Sequence, residues 1–178
     1  MKNRKSGLTA VVTLFLITAV MAGLLALVNS VTAGPIAAAQ REKTERALSG
    51  VLREGVELGE QLESFPDETG LVEGVYKTSD GYVVEVTPSG FGGLIDMMVG
   101  VDSEGVCTGI SIIDMSETAG LGANASKDEF RAQFVGKSGT VSVTKDGGDI
   151  DALTGATITS RAVSNGVTSA LEAVAELG

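Results

Sequence analysis

Residues 72–115 read VEGVYKTSDGYVVEVTPSGFGGLIDMMVGVDSEGVCTGISIIDM, and this stretch decides the fold. It contains four runs rich in β-branched and apolar residues, separated by glycine-bearing turns. Val72–Thr78 and Tyr82–Thr87 are joined at Ser79-Asp80-Gly81, and Asp-Gly between such runs is a hairpin signal. Leu94–Val101 follows, with Ile95, Met97, Val99 and Val101 on one face by period-two spacing. Val106–Met115 comes next after the turn Asp102–Gly105, and Val106, Ile110 and Ile112 are expected to share a face. The four runs predict an antiparallel meander.

The flanks supply helices. Ala37–Arg53 is rich in helix formers with mixed charge. Glu54–Gly70 is acidic and broken by Gly55, Gly59, Pro66 and Gly70, and reads as a helix end followed by a loop. Ser126–Val135 carries Ser126 with Glu129 three residues on, a capping-box signature. Thr140–Lys145 reads as a short strand. Ile158–Leu177 places Ala162, Val163, Val167, Ala170, Leu171 and Val174 on one stripe of a helix. The order predicts an α+β domain, with helices against a mostly antiparallel sheet.

The N-terminus has a different character. Lys2, Arg4 and Lys5 are followed by Ser6–Ala39, which carries no charged side chain. Its core, Leu8–Val28, is apolar all round and long enough at ~1.5 Å per residue for a hydrocarbon layer of ~30 Å. A cleavable signal peptide is the rival reading, with Val31-Thr32-Ala33 as a passable site. The apolar run exceeds the roughly 7–15 residues of a signal core, which favours an uncleaved anchor. Ala19, Ala22, Gly23 and Ala26 recur at helical spacing and allow another helix to approach, or simply face lipid. The first seven residues carry +3 and the remainder −13, so the positive-inside rule puts the N-terminus in the cytoplasm. The expected division is a basic cytoplasmic tail at 1–7, a transmembrane helix at 8–33, a connecting helix and loop at 34–70, opened by Gly34-Pro35, and an extracytoplasmic domain at 71–178. A bacterial inner membrane is the natural setting.

Composition narrows the function. Apolar residues make up 43% and charged residues 20%, too apolar for disorder. There is no histidine, which removes His-based triads and His-ligated metals. One cysteine, Cys107, excludes an intrachain disulfide or a Cys-ligated cluster, and on a strand it reads as a small packed side chain. With 13 basic and 23 acidic side chains, nucleic acid is not an expected partner. Asp146, Asp149 and Asp151 lack calcium-loop spacing, and the first two read as turn residues. Ser160 and Ser164 with Lys145 lack the Ser-x-x-Lys spacing of a serine–lysine hydrolase.

The chemistry concentrates in Asp149–Thr159, DIDALTGATIT, where a loop enters the last helix. Two readings stand. The threonines cap the helix, which is the simpler use. Alternatively, small residues and free N–H groups make a phosphate site with hydroxyls at Thr154, Thr157 and Thr159. Lys145, just upstream, either offsets phosphate charge or is a solvated strand-end lysine.

Asp151-Ala152-Leu153-Thr154-Gly155-Ala156-Thr157 resembles the Asp-x-x-[Ser/Thr]-Gly-Ala-Thr attachment motif of domains that hold FMN covalently. Glu117-Thr118-Ala119-Gly120-Leu121-Gly122 resembles the Glu-Thr-Pro-Gly-Leu-Gly loop of the same domains, with Ala119 in place of the usual proline. Ser89-Gly90-Phe91-Gly92-Gly93 resembles their glycine-rich turn. With the N-terminal span, the arrangement is similar to the G-subunit family of Rnf ion-translocating electron-transport complexes. That family is related to the C subunit of the Na+-translocating NADH:quinone oxidoreductase.

The resemblance implies covalent FMN on Thr157 through a phosphoester, with Thr154, Gly155 and Ala156 around it. A flavin transferase would install the group from FAD and read Asp151. Glu117 and Thr118 would hydrogen-bond the flavin or its ribityl chain, Leu121 would pack on a ring face, and Gly120 and Gly122 would allow close approach. The implied function is electron relay between neighbouring membrane subunits, coupled to Na+ or H+ transport, with no independent enzyme activity. Two alternatives remain: an anchored module that binds a phosphate-bearing ligand without redox activity, and a standalone extracytoplasmic flavoprotein feeding another reductase.

Overall fold

A computed structural model describes residues 2–53 and 55–178, with side chains described at residue 7 and from residue 9 onward. The side chains of Lys2, Arg4, Lys5 and Leu8, which open the expected tail and span, lie outside the described residues, as does Glu54. The chain forms two compact units, residues 1–42 and 43–178.

The first unit is helical throughout its described residues. Helix α1 (Lys2–Val51) contains a stretch long and apolar enough to cross a membrane. Val11, Leu14, Phe15, Ile17, Leu24 and Leu27 are all exposed, and they surround the helix rather than lining one side. Hydroxyls at Thr13, Thr18, Ser30 and Thr32 bond back to the helix's own carbonyls. Thr13 Oγ1 donates to Thr9 O at 2.9 Å, Thr18 Oγ1 to Leu14 O at 3.0 Å and Ser30 Oγ to Leu27 O at 2.8 Å. That suits a solvent offering no hydrogen bonds. Pro35 lies inside α1 rather than between two helices. The lost bond and ring clash cost ~3 kcal/mol or more, and the helix formers from Ala37 to Arg46 carry the helix on.

The second unit is a three-layered α+β domain. Its sheet comprises β1 (Leu58–Gln61), β2 (Val72–Thr78), β3 (Gly81–Val86), β4 (Ile95–Asp102) and β5 (Cys107–Met115). They pair in sequence order, every neighbour antiparallel. The meander is therefore as expected, with one more strand. β1 replaces part of the loop expected at 54–70. It is four residues long and wholly exposed, so it carries no hydrophobic alternation.

One face of the sheet packs on α3 (Thr157–Leu177) and on the connecting segment. Ile95, Met97, Val99 and Val101 meet Val163, Val167, Ala170 and Leu171 there, as the two periodicities require. Phe130 and Phe134 close this core edge to face, with centroids 5.4 Å apart. On the other face, Val83, Met98 and Ile113 pack against Ala47 and Val51 from the last turns of α1.

Two register shifts distinguish β5 from an even strand. Gly100 pairs with Gly109 but Val101 with Cys107, so Cys107 takes the core position expected of Val106. Its burial pushes the thiol up to about 11, the behaviour of a packed side chain. A second shift, between Asp96 and Met97, skips Ile113 in the register, and Ile113 packs in the α1 layer.

Two local expectations change. Ser126–Val135 is not one capped helix. It is a 3-10 turn (Gly122–Ser126), a single α turn α2 (Asp128–Arg131) and another 3-10 turn (Ala132–Phe134). Ser126 Oγ donates back to Ala123 O at 2.9 Å, and Lys127 holds the cap position without a side-chain bond, so the capping box does not form. Thr140–Lys145 is not a strand. Val143 makes one parallel bridge to Ile150, and the chain then coils through a 3-10 turn (Thr144–Asp146). Val141 and Val143 are buried, so the alternation is real, but Asp146-Gly147-Gly148 turns the backbone away before a ladder can form.

Candidate functional site

The loop into α3 is built around Gly155, whose φ of +75° is a left-handed conformation. Ala156 occupies the cap position with no side-chain capping bond. The threonines therefore do not cap the helix, and the first N–H groups of α3 keep the partial positive charge of an open helix end.

The hydroxyls go elsewhere. Lys145 Nζ donates to Thr157 Oγ1 at 2.9 Å. Thr159 is buried and its Oγ1 donates to Glu117 Oε2 at 2.9 Å. Ser160 Oγ accepts from Leu153 N at 2.9 Å and donates to Ala156 O at 3.0 Å, which rigidifies the loop from inside. Thr154 is exposed on the far side. The three threonine hydroxyls proposed for a phosphate thus do not converge. Thr157 alone meets a cation.

Lys145 is exposed but does not end a strand. It rides on the 3-10 turn Thr144–Asp146, which Arg161 of α3 grips by two bonds of 2.6 Å to the Asp146 carboxylate. The guanidinium holds the Asp146 carboxyl below the usual range. Asp149 is likewise held low by Lys137, so both residues serve the turn.

Glu117 is occupied on both oxygens by the protein itself. Its Oε1 accepts from Phe91 N at 2.7 Å and Gly92 N at 3.0 Å, while Oε2 takes the Thr159 hydroxyl. The surrounding glycines make room for it. A Cβ at Gly90 would stand 2.2 Å from Oε1, and one at Gly122 would stand 2.4 Å from Oε2 and 2.7 Å from Thr159 Oγ1.

These elements enclose a cleft of ≈420 Å³. Glu117, Thr118, Leu121, Gly122, Gly155, Ala156 and Thr157 all line it, so most of the expected site residues come together. Phe91, Leu121 and Ile158 form apolar walls and are 70%, 43% and 51% exposed, the pattern of a groove awaiting an apolar ligand. Lys145 and Thr157 form the polar end. The donor set fits a flavin mononucleotide: an ammonium and an open helix end for phosphate, and hydrocarbon and aromatic walls for a flat ring.

Thr154 and Asp151 are not in this cleft. They line a neighbouring groove of ≈490 Å³ with Asn124, Lys127, Glu129 and Gln133, and Leu121 borders both. Asp151 N donates to Gln133 Oε1 at 2.7 Å, and its side chain is exposed. Phe91 and Ile158 line the cleft without having been among the expected site residues. Both carry a signal: Phe91 is an aromatic among glycines, and Ile158 is an apolar residue off the buried stripe of α3.

Residues 90–172 match the FMN-binding domain family, and residues 1–51 match the RnfG N-terminal region. The chain is 34% identical over 183 residues to the G subunit of the ion-translocating oxidoreductase complex of Methanosarcina acetivorans, covering 98% of this chain and 97% of that protein. It is 37% identical over 181 residues to the G subunit of the Na(+)-translocating ferredoxin:NAD(+) oxidoreductase complex of Acetobacterium woodii, covering 89% of this chain and 87% of that protein. Over 97 residues, about half of each chain, it is 48% identical to the G subunit of the proton-translocating ferredoxin:NAD(+) oxidoreductase complex of Clostridium ljungdahlii. The matches span both the apolar helix and the cleft, and the chain belongs to the G-subunit family of ion-translocating oxidoreductase complexes.

Proposed function

We propose that the protein is the membrane-anchored flavoprotein subunit of an Rnf-type complex, carrying FMN esterified to Thr157 Oγ1 and relaying electrons between neighbouring membrane subunits. The observation that carries the reading is the meeting of Lys145 Nζ and Thr157 Oγ1 at an uncapped helix end that opens onto an apolar-walled cleft.

The residues divide the work. Lys145 and the N–H groups opening α3 neutralise a phosphodiester on Thr157. Phe91, Leu121 and Ile158 shield a flat ring from water, and Thr118 offers a hydroxyl at the rim. Bound there, a flavin supplies one- and two-electron chemistry that no side chain of this protein offers. In maturation the Thr157 Oγ–P bond forms as the pyrophosphate P–O bond of FAD breaks, AMP leaves and the hydroxyl proton is released. A separate flavin transferase catalyses that exchange, and the exposed Asp151 in the adjoining groove is its recognition point. Attachment by an ester keeps the cofactor on the protein where no free FMN pool replaces it.

The apolar stretch of α1 crosses the membrane once, with residues 1–7 in the cytoplasm and the folded unit from residue 43 on the other side. The other subunits of the complex are its electron partners, and the coupled ion is Na+ or H+.

Intact mass and in-gel fluorescence after denaturation test the reading, on wild type and Thr157→Ala made with and without a transferase. Wild type made with the transferase should carry one FMN less one water and fluoresce; the variant should be dark. A dark wild-type band of unmodified mass, beside a control substrate that the same transferase loads, would end the covalent flavin assignment and leave a reversible phosphate-binding module.

A further inference from the structure

Glu117 joins three segments that are far apart in sequence: the glycine-rich turn at 90–93, its own loop after β5, and the first turn of α3. A carboxylate has about four acceptor sites. Three of these are filled from inside the protein, two by backbone N–H groups and one by a buried hydroxyl. A group so occupied has little left to offer a ligand. The glycines beside it have the same meaning: the open faces of Gly90 and Gly122 are filled by the Glu117 carboxylate and, at Gly122, also by the Thr159 hydroxyl.

We propose that Glu117 is a positioning residue, the strut that fixes the width of the cleft between Phe91 and α3, and not a hydrogen-bond partner of the cofactor. This rests on the reading that the cleft takes a flavin. The Phe91 ring is 70% exposed, so the wall it forms is placed by its backbone. Glu117 holds that backbone through Phe91 N and Gly92 N, and it holds the opposite wall through Thr159, the residue after Ile158. Cutting the strut lets the two walls part while the attachment residue, Thr157, stays in place.

Three variants of the full chain in detergent separate a strut from a contact. Glu117→Gln keeps an acceptor oxygen for the two N–H groups, and its amide can donate to Thr159 Oγ1 with the bond direction reversed. Glu117→Ala removes both ends. Thr159→Val cuts only the α3 end and keeps the shape, so it remains informative if Glu117→Ala does not fold. The readouts are amide hydrogen exchange at Phe91 and Gly92 in flavin-free protein, and the visible circular dichroism of the flavin in loaded protein.

The strut predicts exchange at least tenfold faster in Glu117→Ala, a change under threefold in Thr159→Val, and loss of at least half of the flavin dichroism in both. Glu117→Gln should stay near wild type in both readouts. If Glu117→Gln changes the flavin dichroism as much as Glu117→Ala while the amides keep wild-type exchange, Glu117 is a direct contact and the proposal fails. It also fails if cutting either end leaves both readouts unchanged. Should the wild type load no flavin beside an active control, the parent reading fails by itself, and amide exchange still decides whether the strut exists.

Discussion

Two carboxylates, Glu117 and Asp96, are drawn partly out of water on opposite faces of the sheet, and they are treated differently. Glu117 has three donors on its two oxygens. Asp96, on β4, is half-buried on the face that receives the last turns of α1, and its Oδ1 has no hydrogen-bond partner among the described residues. Its neighbours are acidic as well: burial first, then Glu85, Asp114 and Glu73, push its carboxyl up to about 6, with Lys43 alone pulling it down. One region organises a carboxylate to shape a cleft. The other crowds acids against a single lysine, which is ion-paired to Asp114 at 2.8 Å. The difference is one of organisation: the carboxylate beside α3 has a task for each oxygen, whereas among the described residues the α1 face leaves one oxygen unsatisfied.

The largest expected effect tests the organised side. Thr157→Ala should abolish covalent flavin entirely yet move stability by less than about 0.5 kcal/mol, since its hydroxyl bonds only an exposed lysine. Urea melts beside intact-mass spectra would check this; a collapse in stability would make Thr157 a structural residue. Gly122→Ala comes next. Its Cβ would fall inside contact distance of both Glu117 and Thr159, and overpacking of this kind costs about 1–3 kcal/mol. A chemical melt at wild-type midpoint would mean that the glycine leaves more room than the geometry implies.

Asp96→Asn probes the other side and has the opposite sign. The folded protein holds this proton more tightly than the unfolded chain, so the group's contribution is full below pH ~4 and falls away as pH rises through about 6. The variant should therefore match wild type near pH 4 and gain about 1 kcal/mol above pH 7, after discounting for screening of a half-exposed group. Equal melts at both pH values would show that the acidic face imposes no strain. The smallest effect is Lys43→Ala. It should cost under about 0.5 kcal/mol and raise the Asp96 titration further, as followed by NMR of the carboxyl carbon.

Much of the fold was legible because its elements are long and periodic. β2 to β5 and α3 lie within a residue or two of their expected bounds, because alternation and a buried stripe leave little choice. β1 was not legible: LGEQ pairs through its backbone at a sheet edge and buries nothing. The β5 bulges were not legible because period-two counting assumes no extra residue, and one shift suffices to exchange Val106 for Cys107. Ser126 and Glu129 fit a local pattern that the 3-10 turn ending at Ser126 overrides.

In the site, Thr157, Gly155 and Leu121 line one cleft, the first two from the stretch that stands out in the sequence and Leu121 from the loop that the resemblance points to. Neither stretch by itself reveals what Thr159 does, since its partner is 42 residues away in sequence. The same distance hid the occupation of Glu117, to which the resemblance gives a bond to the flavin or its ribityl chain. Thr154 adjoins Thr157 in sequence, but it follows Asp151 into the neighbouring groove, beyond the left-handed turn at Gly155.

Thr157 is also the first residue of α3, and 12 of that helix's 21 residues are buried. Segments so deeply packed open only at a free energy near that of global unfolding. A group tethered at the helix's first residue is anchored within one turn of that packed stretch, which begins at Thr159 and Ser160. Its distance from a partner subunit would be set when the domain folds, and would drift no more than the core itself does.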